Sequence, residues 1–243
     1  MKRSFHIVSA ATTVAAIAVV LVAGCGSSDS STADGGGTKD APTPAVSSKS
    51  AKDVVLTAAE LPAGIDVLPV TDAQLQSALD QITTSADTLK AVPAECGSKT
   101  AIVDATARLD VSKFGMIAGS SKSGLVSESV LVAHPDIAKL RSAFTGPCKT
   151  MTADLTSQGV SVSSQITRTV IDTPKGRATD LLVVREDSTS NAAGQRVTQQ
   201  SYQGYAQVGG YAVTVSVKVM TGTPDKKLFD ELLTKSIDKV AQA

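Results

Sequence analysis

The clearest pattern in the chain lies near its end. Tyr211, Val213, Val215, Val217 and Val219 fall on one side of an extended segment, and Ala212, Thr214, Ser216 and Lys218 fall on the other. A period of two with one apolar side predicts an antiparallel strand that is wet on one face. Val- and Thr-rich segments at 160–171, 178–186 and 196–208 predict further strands. Their breaks are Gln158-Gly159, Thr173-Pro174-Lys175-Gly176, a polar loop from Asp187 to Gly194, and Gly209-Gly210. Segments 114–121 and 125–133 flank Lys122-Ser123-Gly124 as a hairpin, and 65–70 suits a first strand. Segment 148–156 reads as strand or helix, and 100–110 has no clear period.

Elsewhere the period lengthens. Thr71-Asp72-Ala73-Gln74 has capping-box spacing, and Leu75, Leu79, Ile82, Ala86 and Leu89 follow at helical intervals, which predicts a helix to about Lys90. A shorter box, Thr57-Ala58-Ala59-Glu60, predicts one helical turn stopped by Leu61-Pro62-Ala63-Gly64. His134-Pro135-Asp136 opens a helix with Ile137, Leu140 and Phe144 on one face. Thr223-Pro224 opens the last, striped by Leu228, Leu232, Leu233, Ile237 and Val240. Together these predict an α+β domain: an antiparallel β-sheet meander with helices packed on one face.

The first residues follow another logic. Met1-Lys2-Arg3 is cationic, and residues 7–22 carry no charge. That run is shorter than the roughly 20 residues of a bilayer span and reads as the apolar region of a signal peptide. It ends in Leu21-Val22-Ala23-Gly24-Cys25, which resembles the lipobox of bacterial lipoproteins. The resemblance implies cleavage between Gly24 and Cys25 and attachment of diacylglycerol to the Cys25 thiol; the alternative is an ordinary leader or a buried cysteine. Residues 25–53 are rich in Ser, Gly, Thr, Ala and Pro and show no apolar period, so they read as a disordered tether. The expected division is a lipoprotein signal peptide at 1–24, the acylated Cys25 and tether at 25–53, and one extracytoplasmic domain at 54–243.

Charge and composition narrow the function. The 23 basic and 23 acidic residues balance, so the electrostatic footprint of a nucleic-acid binder is missing. Loss of the leader removes Lys2 and Arg3 and leaves the acidic groups two ahead, so the lipid alone must hold the membrane. Aromatic residues are 3% of the chain and Trp is absent, so the core falls to Val, Leu, Ile and Ala and a carbohydrate-stacking platform is disfavoured. Once Cys25 is acylated, Cys96 and Cys148 remain. In an oxidising space that pair is expected to close as a disulfide. Two free buried thiols are the alternative, and Cys-x-x-Cys redox spacing is lacking.

Candidate chemistry is thin. His134 stands alone in the mature chain, at a helix start, and reads as a cap or surface residue. Residues 119–124 suggest a phosphate loop or serine nucleophile but lack both motifs, and a hairpin turn explains them. Ser236-x-x-Lys239 has acyl-enzyme spacing without companion motifs. Glu186 and Asp187 fall in or beside the polar loop. Tyr202 and Tyr205 could line a ligand groove, against the plainer reading of strand residues covering the sheet. No catalytic residue, metal site or cofactor is expected.

The lipobox, Leu61-Pro62-Ala63-Gly64, Pro93-Ala94-Glu95-Cys96, Gly146-Pro147-Cys148 and Pro224-Asp225 together resemble cell-envelope lipoproteins of mycobacteria and related actinobacteria that carry a domain of unknown function. More loosely, the chain is similar to the extracytoplasmic sensor domain of mycobacterial Ser/Thr kinases of the PknH type. The resemblance implies an α+β fold and a ligand cleft, with no catalytic residues to carry over. The expected function is a non-catalytic, sensor- or carrier-like protein, lipid-anchored on the outer face of the cell membrane, that binds a small or lipidic ligand or a partner envelope protein. An envelope hydrolase with an unrecognised active site is the alternative.

Overall fold

The structure, a computed structural model, describes residues 49–97, 110–157 and 159–243. The expected signal peptide, the cleavage site at Gly24 and Cys25, nearly all of the tether and almost all of segment 100–110 lie outside the described residues.

Nine strands form one sheet: β1 (Asp66–Leu68), β2 (Lys90–Val92), β3 (Gly115–Ser121), β4 (Gly124–Val132), β5 (Thr150–Ser157), β6 (Val160–Ile171), β7 (Asp180–Ala192), β8 (Gln195–Val208) and β9 (Tyr211–Val219). Their order is β1-β3-β4-β9-β8-β7-β6-β5-β2, every neighbouring pair antiparallel. β5 to β9 are a meander whose last strand closes onto β4. Both edges, β1 and β2, are three-residue strands. Short edges leave little unpaired backbone for another chain to join. The described residues also include four α-helices: α1 (Ala51–Val54), α2 (Asp72–Ala86), α3 (Ile137–Thr145) and α4 (Lys226–Val240).

The expected α+β class and antiparallel sheet are present, and the helices are shared between its two faces rather than gathered on one. The reason lies in β7 and β8. Leu181 and Val183 join Val213, Val215 and Val217 beneath Phe229, Leu232, Leu233 and Ile237 of α4. Leu182 and Val184 point the other way, into a second cluster with Tyr205 and with Ile137 and Phe144 of α3. Consecutive apolar residues in a strand require cover on both sides. β9 keeps the strict alternation of buried and half-buried positions from end to end.

Local differences have equally specific causes. The polar loop expected at 187–194 is mostly strand: β7 runs to Ala192 and β8 begins at Gln195. The turn is confined to Ala193 and Gly194, with φ of 48° and 78°, as a tight hairpin of the primed type requires. The ends of β7 and β8 carry polar residues because no helix covers them there. Their main chains still pair, and Ser164 and Ser190 hydroxyls meet at 2.7 Å across β6 and β7. Segment 148–156 resolves as a 3₁₀ turn at Pro147–Lys149 followed by β5, with Met151 and Ala153 buried and Thr150 and Thr152 exposed. The helix expected to Lys90 stops at Ala86, and Lys90 already belongs to β2. Thr57-Glu60 makes its capping contacts as a turn, not an α-helix: the Thr57 N–H and hydroxyl both donate to Glu60 Oε2 at 2.7 Å. Residues before 54, expected in the tether, also pack on the domain. Ala51 and Val54 of α1 are fully buried, and the Tyr211 hydroxyl donates to Lys49 O at 2.7 Å.

Candidate functional site

A cleft of about 340 Å³ opens between the β6–β7 connection and α4. The connection holds Thr173-Pro174-Lys175-Gly176, which turns the chain away from the sheet, and α4 is started by Asp225, whose Oδ1 accepts from Leu228 N at 3.0 Å. Leu181, Leu233 and Ile237, members of the main core, form an apolar floor. Charged groups stand at the rim. Lys226 pairs with Asp230 at 2.6 Å and Lys175 with Asp180 at 3.2 Å. Arg177, Asp172 and Asp238 complete the rim. Volume, an apolar floor and a few polar groups are what a small-ligand site needs.

The opposite face carries a different arrangement. Arg168, Glu186, Ser201 and Lys218 stand directly opposite one another on β6, β7, β8 and β9, forming one polar row across the sheet. Arg168 Nε donates to Glu186 Oε2 at 2.9 Å. Its Nη1 also donates to Cys148 O at 3.1 Å, and the guanidinium lies 4.6 Å from the centre of the Phe144 ring. Along β8 the Tyr205 hydroxyl donates to Gln203 Oε1, and Gln203 Nε2 donates to Ser201 Oγ at 3.3 Å. Burial, then the nearby Glu186 charge, pushes the Tyr205 phenol up, so it remains a donor. Burial pushes the Lys218 ammonium down while Glu186 opposes that shift. Arg168, Glu186 and Ser201 are each less than a tenth exposed, which closes these three to a substrate, while Lys218 is half-buried.

The structure separates Tyr202 from Tyr205. Three residues apart on a strand, they face opposite ways. Tyr202 packs on Phe229 with ring centres 5.6 Å apart, and Tyr205 on Phe144 at 6.2 Å. Both are buried, so they line no common groove. Cys96 and Cys148 are joined in a disulfide, Cα atoms 5.4 Å apart. His134 is exposed, 3.3 Å from Gln207 Nε2, and the helix cap is Asp136 instead. Residues 121–124 are a hairpin turn. Ser236 is fully buried and donates to Leu232 O at 2.8 Å, while Lys239 pairs with Glu60. Glu186 sits within β7, buried against Arg168, and Asp187 is 3.1 Å from Arg185 Nη2. Among the described residues no group of three or more His, Cys, Asp or Glu is placed to hold a metal, and no helix is long and apolar enough to cross a membrane.

Two buried charged residues escaped the sequence reading: Arg168 and Glu128. Each interrupts the apolar phase of its strand, Arg168 between Ile166 and Val170, Glu128 between Val126 and Val130. A charge in phase with core residues was the available signal.

No family model and no curated protein matches the sequence. Among solved structures, the chain is similar to an uncharacterised protein of Mycobacterium smegmatis, the Rv0999 ortholog. The two share 14% identity, with 63% of this chain and 76% of that chain covered and a TM-score of 0.34.

Proposed function

We propose that this protein is a non-catalytic binding protein of the actinobacterial envelope type, anchored by lipid on Cys25 outside the cell membrane. Its site is the cleft beside α4. The observation that carries the reading is the apolar floor of Leu181, Leu233 and Ile237 under a rim of balanced charge. Such a cleft suits a small amphipathic molecule, with its apolar part on the floor and a polar head at Arg177, Asp172 or Asp238. Shape and placed charges suffice for binding; hydrolysis would need a nucleophile beside a base, and Ser236 is buried and hydrogen-bonded to a main-chain carbonyl.

The test is mass spectrometry of small molecules extracted from native protein and from Thr234→Trp. Thr234 is exposed at the cleft wall, so the indole fills the opening without entering the core. A compound recovered from the wild type and lost from the variant supports the site, and equal recovery rejects it. The anchor is tested apart from the cleft: Cys25→Ala should move the protein from the membrane fraction to the soluble one.

A further inference from the structure

The chain enters the domain as a strap laid across one face of the sheet. Tyr211 holds Lys49 O, and Ala51, Val54, Leu56 and Leu61 are buried in the main core. Lys239 donates to Glu60 Oε2 and Lys235 to Glu60 O. Beneath the strap lies Glu128 of β4, with no exposed surface, flanked by Ile117 of β3 and Val215 of β9. Its Oε2 accepts from Leu56 N at 2.9 Å. Its Oε1 is buried and finds no hydrogen-bond partner. The Ser236 hydroxyl is beside this carboxyl but is committed to Leu232 O at 2.8 Å.

The hydrogen-bond inventory therefore matches a neutral acid. A protonated Glu128 keeps the Leu56 N–H on its carbonyl oxygen and donates its O–H to the open lone pair of Ser236 Oγ. The anion has an oxygen with nothing to accept, in an apolar layer, and an unsatisfied buried charge is costly. The charged groups packed around it do not change this. Glu60 on the strap and Lys239 on α4 are paired with each other, Lys235 reaches the Glu60 carbonyl, and β3 and β9 present only Ile117 and Val215. On α1, Asp53 bonds to Ser50 and Lys52 to Asp72.

We propose that Glu128 is a proton-operated latch: protonated, it holds the N-terminal strap on the sheet, and loss of its proton to solvent favours lifting of the strap. The direction agrees with the carboxyl's own titration, which burial, the largest influence, raises to about 7. With the strap lifted, Glu128 is hydrated and returns to the ordinary carboxylate range. Opening therefore grows by up to about tenfold per pH unit between roughly pH 5 and 7 and levels off above that.

Amide hydrogen exchange on the full chain tests this, with rates corrected for intrinsic base catalysis. Protection at Leu56 should fall by up to about tenfold per unit from pH 5 to 7 and then flatten, and it should stay well below that of Val213 and Val217 in β9, which exchange only through global unfolding. In Glu128→Gln, whose amide mimics the protonated acid, protection at Leu56 should be flat. A flat wild-type profile, a Gln variant with the wild-type slope, or protection at Leu56 equal to that in β9 would each overturn the latch. If the Gln variant does not fold, the comparison of Leu56 with β9 in the wild type decides alone.

Discussion

Arg168 and Glu186 face each other across β6 and β7, Nε to Oε2 at 2.9 Å, each less than a tenth exposed. Neither charge can reach water without opening the layer between the sheet and α3. Glu186→Gln would leave the guanidinium buried and uncompensated, and breaking such a pair costs about 3–5 kcal/mol. The double variant Arg168→Met, Glu186→Leu removes both charges and should cost much less, or nothing. Urea unfolding of the single and double variants checks this; equal losses would mean the pair is exposed enough to be solvated.

The disulfide ties the turn after β2 to the turn before β5, across a sequence separation of 52 residues. In the chain-entropy model a loop of that length is worth roughly 4 kcal/mol. For a domain of this size each kcal/mol moves the melting temperature by about 2–4 °C. Reductant should therefore lower it by on the order of 10 °C. Thiol counting on denatured, unreduced protein should find neither Cys96 nor Cys148 free.

The hairpins and amphipathic helices were legible because each carries its own period. β6 spans 160–171, as its Val-rich run predicts. Sheet order was not legible, since the closure of β9 onto β4 is a contact between distant segments that no local pattern encodes. The outer ends of β7 and β8 were missed because a strand with two wet sides has no apolar phase. The Tyr202–Tyr205 grouping failed on a rule available in advance: odd spacing in a strand divides a pair between faces. The cleft escaped because its lining comes from a loop and a helix about 50 residues apart in sequence.

Two glycines mark close approach rather than turning. A Cβ on Gly204 would stand 2.9 Å from Leu233 Cδ1, beneath α4. Gly204→Ala should cost about 1–3 kcal/mol through overpacking, with the helix shifting outward to relieve it. Gly115 backs onto the carbonyl of Ala51, and backbone cannot yield as a side chain does. Gly115→Ala should therefore displace the strap more than the sheet. Trypsin should cut the variant faster at Lys49 and Lys52 than it cuts the wild type, while cleavage within β7 to β9 stays slow.

Two carboxyls at the strap give stability opposite dependences on pH. Glu128 titrates at about 7 in the folded state, above its ordinary value of 4.5. Its contribution is full below the ordinary value and is lost as pH rises through 7. By the free energy of a pKa difference that loss is at most roughly 3 kcal/mol. Glu60 is lowered to about 2, by the Lys239 hydrogen bond first and then by Thr57. Its contribution is present above the ordinary value and is lost as pH falls toward 2. The side chain is 44% exposed, so solvent screening keeps the pair with Lys239 to at most about 1 kcal/mol. Stability from these groups should thus peak near pH 4.5 to 5. Urea midpoints at pH 3, 5 and 8 separate the two. Glu128→Gln should abolish the decline toward pH 8 and leave the acid limb alone, whereas Lys239→Met should flatten the smaller decline toward pH 3. A Gln variant that still weakens between pH 5 and 8 as the wild type does would assign the alkaline loss to some other group.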